Sequence, residues 1–123
     1  MTKPRINPDR QLFGIIGTVD NVSEEKRWWN ARFREEGIDA FMDNYPTKAD
    51  ELPERLSEMF HFDRRGYIVG KALSKAIIPL LDHLDASAAR EGRVDFVANT
   101  SGEMTGCAGQ SREEIWALWF AKG

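Results

Sequence analysis

Apolar residues recur along the chain at two spacings, one suited to strands and one to helices. Leu12 to Gly17 (LFGIIG) is a short apolar run between polar flanks and predicts a buried strand. Ser23-Glu24-Glu25-Lys26 follows, a capping serine with acidic residues behind it, so a helix is expected to begin near Ser23. Trp28, Trp29, Arg32, Phe33 and Glu36 then put aromatics on one face, and Gly37 is placed to close the helix in a left-handed cap. Trp28 and Trp29 are adjacent and cannot both face one core, so one of them is semi-exposed or at an interface. A second strand is expected over Ile38 to Asn44. A second helix is expected over Ala49 to Phe60, where Leu52, Leu56, Met59 and Phe60 repeat at three- and four-residue steps. Pro53 is tolerable there because it falls in the first turn.

Gly66 to Gly70 reads as a third strand, Ser74 to Leu84 as a third helix and Asp85 to Glu91 as a short helical turn before Gly92. Val94 to Ala98 and Glu103 to Cys107 flank Asn99-Thr100-Ser101-Gly102, a polar, glycine-ending turn that suits a hairpin. The last helix is expected over Ser111 to Ala121, with Ser111 and Glu114 in capping-box spacing. Three strand–helix units, a hairpin and a final helix predict an α/β domain with a mostly parallel, mixed sheet covered on both faces, since parallel neighbours need helical crossovers. Ligands of such sheets lie outside the carboxyl ends of the strands. Thr18 to Ser23, Gly70 to Ser74 and Asp95–Phe96 are therefore the places to look.

Composition narrows the function classes. A chain of 123 residues suits one domain, 1–123, with a polar, proline-punctuated N-terminal arm over 1–10. A net charge of −3 against 17 basic residues gives no general attraction for phosphate backbones, so nucleic acid is disfavoured as a partner. Cys107 has no second cysteine to pair with, and His61 and His83 are isolated, so neither a disulfide nor a metal site is expected. Cys107 itself reads as a small packing residue, having no histidine at a recognisable spacing. No run approaches about 20 apolar residues and the N-terminus lacks a leader pattern, which together predict a soluble, cytoplasmic protein with no membrane partner. No Gly-x-Gly-x-x-Gly follows a strand, Gly14 and Gly17 in FGIIG being the nearest approach, so no cofactor is expected.

RQLFGIIG, NARFREEGIDA, RGYIVG and AIIPLLDHLDASAAREGRV, followed by Asn99, Gly102 and Gly106, resemble the substrate-binding domain of the shikimate dehydrogenase family, in order and without large gaps. The resemblance covers about Gln11 to Ser111, and LLDHLDASAAREG is its most specific part. It implies a three-layer α/β/α sandwich that in the family binds shikimate or quinate, while a separate domain holds NADP. The family's His-Ser-Leu-Ser-Pro loop falls on Val22-Ser23-Glu24-Glu25-Lys26, keeping only its first serine. Its Asn-Val-Thr-x-Pro-x-Lys falls on Ile68-Val69-Gly70-Lys71-Ala72-Leu73-Ser74, so Ser74 stands where the family has its catalytic lysine, with Lys75 one step out of register. The family's Asn-Thr corresponds to Asp95-Phe96, and its site aspartate to Gln110.

The resemblance therefore points to Ser23, Gly70, Ser74, Asp95 and Gln110 as substrate-binding positions, with the catalytic pair replaced. A serine without a base and a glutamine cannot relay a proton from a secondary alcohol. Gly70 and Ser74 in place of threonine and lysine are expected to open volume and remove positive charge. Ser23 suits a helix cap as well as a ligand donor. Strand alternation directs Lys71 away from the face of Gly70, as a solvated side chain. Asp95 is expected at the crevice, where its charge would oppose a carboxylate ligand.

The leading expectation is a domain that binds a small hydroxy-acid-like or cyclic carboxylate ligand. Two enzyme readings compete with it: a cofactor-independent isomerase or lyase using Asp95 with Lys71 or Glu25, and a fragment of a divergent shikimate/quinate dehydrogenase-like oxidoreductase. A module that works through its surface is the third class. The final helix carries Ile115, Trp116, Trp119 and Phe120, a stripe broad enough to predict a homodimer through that helix unless it folds back onto the sheet.

Overall fold

The computed structural model describes residues 11–61, 64–100 and 102–120. The N-terminal arm, the side chains of Met59 and Phe60, Ser101 of the hairpin turn and Ala121 lie outside the described residues. Six strands form one mixed sheet: β1 (Gln11–Ile16), β2 (Ala40–Tyr45), β3 (Arg64–Val69), β4 (His83–Leu84), β5 (Phe96–Thr100) and β6 (Glu103–Cys107). Their order is β2-β1-β3-β5-β6-β4. β1 pairs in parallel with β2 and β3, and β4 with β6, while β5 runs antiparallel to both its neighbours. Four α-helices accompany the sheet among the described residues: α1 (Val22–Glu35), α2 (Leu52–His61), α3 (Ala86–Glu91) and α4 (Arg112–Trp119).

Strand alternation sorts the apolar residues into two cores, one on each face of the sheet. Phe13, Ile15, Ile68 and Phe96 point to one face and meet Trp29 and Phe33 of α1 and Ile115 and Trp119 of α4. Ile16, Tyr67, Val69 and Val97 point to the other and meet Leu52 and Leu56 of α2 and Ala88 of α3. The expected three layers are present: α1 and α4, the sheet, then α2 and α3.

Trp119 decides where α4 goes. Its ring lies 4.7 Å from that of Phe13 and 5.0 Å from that of Trp29, and its indole nitrogen donates to the Val97 carbonyl at 3.3 Å. The ring rests on Gly66, where a β-carbon would come within 2.6 Å of the indole nitrogen, so only glycine leaves room. Ile115 and Trp119 are buried, while Trp116 and Phe120 are partly covered against the same core. Half of the stripe, Ile115 and Trp119, is thus buried within one chain, because the glycine in β3 lets the helix fold back onto the sheet. Of the adjacent tryptophans, Trp29 is fully buried and Trp28 is the partly exposed one, beneath the Arg112 guanidinium at 5.2 Å.

Two local expectations are corrected. Asn21, rather than Ser23, caps α1: it adopts a left-handed conformation at φ 50° and its side chain accepts from the Glu24 amide. Asparagine tolerates that conformation, and this moves the helix start back to Val22. The span Ser74 to Leu84 is not an α-helix: a 3₁₀ turn at Lys71–Leu73 ends just before it, a second at Ile78–Leu80 lies within it, and the chain then runs into β4. Pro79 cannot donate to the carbonyl four residues back, and the polar groups beyond it bond to β6 instead. The Asp82 amide donates to the Met104 carbonyl, the Asp82 carboxylate accepts from the Met104 amide at 2.8 Å, and the Asp85 amide donates to the Gly106 carbonyl. Gly37 closes α1 at φ 67° as expected, and Ser111 and Glu114 form the capping box of α4.

Candidate functional site

A cleft of about 530 Å³ opens at the carboxyl ends of β1 and β3. Thr18, Val19 and Asp20 enter it from the turn after β1, Val69 and Lys71 from the end of β3, and Arg93 and Asp95 from the segment leading into β5. Its size is that of a small-molecule site, which typically spans about 300–1,000 Å³.

The wall at Arg93 and Asp95 is self-paired. The two residues sit two apart in the bend that precedes β5, and their side chains meet. Arg93 Nε donates to both Asp95 oxygens, at 3.2 and 3.3 Å, and the Gly109 amide donates to Asp95 Oδ2 at 2.8 Å. Asp95 therefore reaches the cleft as anticipated, with its oxygens already engaged. Nε is the Arg93 nitrogen spent on it, leaving the two terminal nitrogens without a protein acceptor among the described residues.

Lys71 lies on the cleft rather than pointing away from it. Alternation stops at Gly70, because β3 ends at Val69 and a 3₁₀ turn starts at Lys71, so the strand rule does not reach the side chain. Lys71 is exposed and has no acidic partner among the described residues. Gly70 sits between two lining residues but does not enlarge the cleft as expected. A β-carbon there would meet the Thr18 backbone, which occupies the space a longer side chain would need.

The other expected positions are scattered. Ser74 is buried, 7% exposed, and its hydroxyl donates to the Lys71 carbonyl at 2.9 Å. Its own carbonyl accepts from the Val94 amide, so it ties the turn after β3 to the strand that leads into β5. Ser23 is exposed and borders a second depression with Lys26, Arg27 and Phe41, on the β2 side of α1. Gln110 follows the glycine whose amide holds Asp95, and its Oε1 is buried without a hydrogen-bond partner among the described residues. Glu25 is occupied elsewhere: it accepts from the Trp29 indole at 2.9 Å and from Arg112 at 2.6 Å. Arg112 also makes a bidentate bond to Glu24, at 3.1 and 2.6 Å, and so pins the start of α4 to the start of α1.

Cys107 is a packing residue. Burial, helped by the neighbouring Asp85 carboxylate, pushes its thiol up to about 12, far from a reactive thiolate. No cluster of three or more metal-ligating side chains occurs among the described residues.

Asp20 and Arg93 are the charged cleft residues that sequence reasoning did not single out, whereas Lys71 was weighed there as a solvated side chain or an acid–base partner of Asp95. Asp20 lay inside the window flagged after β1, and Arg93 could have been found as the basic residue two positions from Asp95.

The cleft and the sheet around it define an α/β domain with a crevice at the carboxyl ends of its strands. No family model matches the chain. It is similar to the curated NADP(+) shikimate dehydrogenase of Pyrococcus furiosus, with 29% identity over 101 residues, or 82% of this chain. The shikimate dehydrogenase structure from Aquifex aeolicus superposes with a TM-score of 0.77 at 28% identity, covering 84% of this chain and 39% of that one. A shikimate 5-dehydrogenase from Listeria monocytogenes, solved in complex with shikimate and NAD, superposes with a TM-score of 0.79 at 26% identity, covering 95% and 40%. These neighbours point to the shikimate dehydrogenase family. The chain spans 37% of the length of the Pyrococcus protein, consistent with the N-terminal substrate-binding part of that family.

Proposed function

We propose that this chain is a small-molecule binding domain of the shikimate dehydrogenase substrate-domain type, and that it takes a hydroxy-acid-like or cyclic carboxylate ligand in the cleft bordered by Lys71, Arg93 and Asp20. The observation that carries the reading is Lys71, an ammonium on the cleft, beside an Arg93 with free terminal nitrogens; among the described residues the first has no acidic partner and the second no protein acceptor for those nitrogens. Carboxylates are recognised by such donors. The resemblance supports the same location, since ligands of these sheets gather at the strand ends.

The dehydrogenase chemistry is not assigned to the chain alone. By the resemblance, Ser74 and Gln110 stand at the positions of the proton-relaying lysine and aspartate, and the Ser74 hydroxyl is spent on the Lys71 carbonyl. A second reading, in which the domain works within a longer, divergent oxidoreductase, draws on the partial coverage of the relatives and uses the same cleft. Hydride transfer would then need a nucleotide-binding unit alongside, and the length of the reading frame decides between the two.

The test is calorimetric titration with shikimate, quinate and smaller hydroxy acids. Binding with a Kd near or below about 1 mM, weakened at least tenfold (about 1.4 kcal/mol) in Lys71→Gln, is the expected result. Absence of heat with every acid, or binding unaffected by Lys71→Gln, would remove the assignment.

A further inference from the structure

We infer that the cleft prefers a zwitterion, an acid that also carries an amine, with its carboxylate toward Lys71 and its ammonium toward Asp20. This rests on the cleft being the small-acid site proposed above. Among the described residues four ionisable side chains line the cleft, and two of them, Arg93 and Asp95, neutralise each other directly. The remaining two are Asp20, on the turn after β1, and Lys71, at the end of β3. Neither has an ion-pair partner among the described residues, and they do not pair with each other across the cleft.

Both charges ride on anchored backbone. The Gly17 amide donates to the Tyr45 carbonyl at 3.0 Å and the Gly70 amide to the Ile16 carbonyl at 2.7 Å. The Thr18 backbone rests directly on Gly70, so the segment carrying Asp20 and the turn carrying Lys71 are locked to one another. Just beyond Asp20, α1 begins under the Asn21 cap. Opposite charges held apart by a rigid frame match a ligand whose own charges are separated. A ligand that is only an acid satisfies Lys71 but brings its negative charge into a cleft where Asp20 goes unmatched; an amine on the ring would satisfy both. The gain for one more charged contact at a partly solvated site is roughly fivefold in affinity.

The experiment compares two probes that differ in one group: an aminocyclohexanecarboxylate and a hydroxycyclohexanecarboxylate of the same ring position and stereochemistry, each titrated calorimetrically into the full chain. The amino acid is expected to bind about fivefold more tightly. In Asp20→Asn the ratio should fall to about one, while Lys71→Gln should lower both affinities; circular dichroism checks that each variant is folded. Equal affinities, or a preference for the amine that persists in Asp20→Asn, would overturn the zwitterion inference and leave the cleft as an acid site. Failure of both probes to bind would overturn the inference together with the reading beneath it.

Discussion

Gly70 and Thr18 touch backbone to backbone. A β-carbon on Gly70 would lie 2.7 Å from the Thr18 carbonyl oxygen and 2.8 Å from its amide nitrogen, distances that real side chains do not reach. The end of β3 and the turn after β1 are therefore one structural unit, and the cleft between Asp20 and Lys71 takes its shape from that contact. The resemblance pairs Gly70 with a threonine, a side chain for which the Thr18 backbone leaves no room here.

Gly70→Ala should accordingly force the turn to move. Overpacking of this kind costs typically 1–3 kcal/mol, so the urea midpoint is expected to fall by roughly that equivalent and affinity for any cleft ligand to fall with it. An alanine variant with unchanged midpoint and unchanged affinity would mean that the turn yields freely and that the contact does not shape the site.

Trp119 should behave as a core residue. It is 3% exposed and packed against Phe13 and Trp29, so Trp119→Ala is expected to cost about 3–5 kcal/mol and Trp119→Asp to unfold the chain. Leu118, 49% exposed on the same helix, is the control. Leu118→Asp should leave stability within about 0.5 kcal/mol and the sedimentation coefficient unchanged. A halving of mass in Leu118→Asp would instead reinstate α4 as a dimer surface.

Ser74 separates the backbone reading from the ligand reading. Loss of its hydrogen bond to the Lys71 carbonyl in Ser74→Ala should cost about 1 kcal/mol in denaturant titrations. Affinity for a cleft ligand should change far less than in Lys71→Gln. In the same preparations, NADP with shikimate should give no turnover; steady, heat-labile turnover by pure protein would show that another group supplies the base.

Stability should decline at both ends of the pH scale for linked reasons. Burial opposes ionisation of Asp85, but the Ser87 hydroxyl, at 2.5 Å, and the Ala88 amide, at 3.0 Å, outweigh it and hold the carboxyl below its ordinary value. A depressed carboxyl contributes fully above its unfolded pKa of about 3.9 and loses that contribution as pH falls through the folded value. The Cys107 thiol is shifted the other way, up to about 12, by burial and by Asp85. Its contribution is full below the unfolded pKa of about 8.5 and is lost as pH rises toward 12. Denaturant titrations should show Asp85→Asn flattening the acid limb and Cys107→Ala flattening the alkaline one; limbs unchanged in both variants would assign the titration to other groups.

Much of this architecture is legible in the sequence because the apolar repeats are long. The α1 aromatics, the hairpin around Asn99 and Gly102, and the capping box of Ser111 and Glu114 all follow from local pattern, and they appear with small shifts at their ends. The span from Ser74 to Leu84 misleads because its apolar spacing suits a helix, while its polar groups are claimed by β6, a partner that comes later in the chain. The same limitation affects the site. Resemblance assigns Ser74 and Ser23 by position, yet one hydroxyl is turned into the backbone and the other opens to a different depression. Lys71 was expected to point away because strand alternation was carried past the end of the strand at Val69.

The β5–β6 hairpin lies inside the sheet, flanked by β3 and β4, rather than at an edge. Its strands are joined by the shortest connection in the sheet, whereas β1 must find β2 and β3 across helical crossovers. Local pairing forms in microseconds and distant pairing pays a larger entropy of loop closure, so the hairpin is the natural first template of the fold. Under pulsed hydrogen exchange during refolding, the amides of Ala98 and Thr105, which face one another across the hairpin, should gain protection before that of Ile15. The parallel half of the sheet, and with it the contact between Thr18 and Gly70 that frames the cleft, would then be the last part of the molecule to be assembled and the first to be lost.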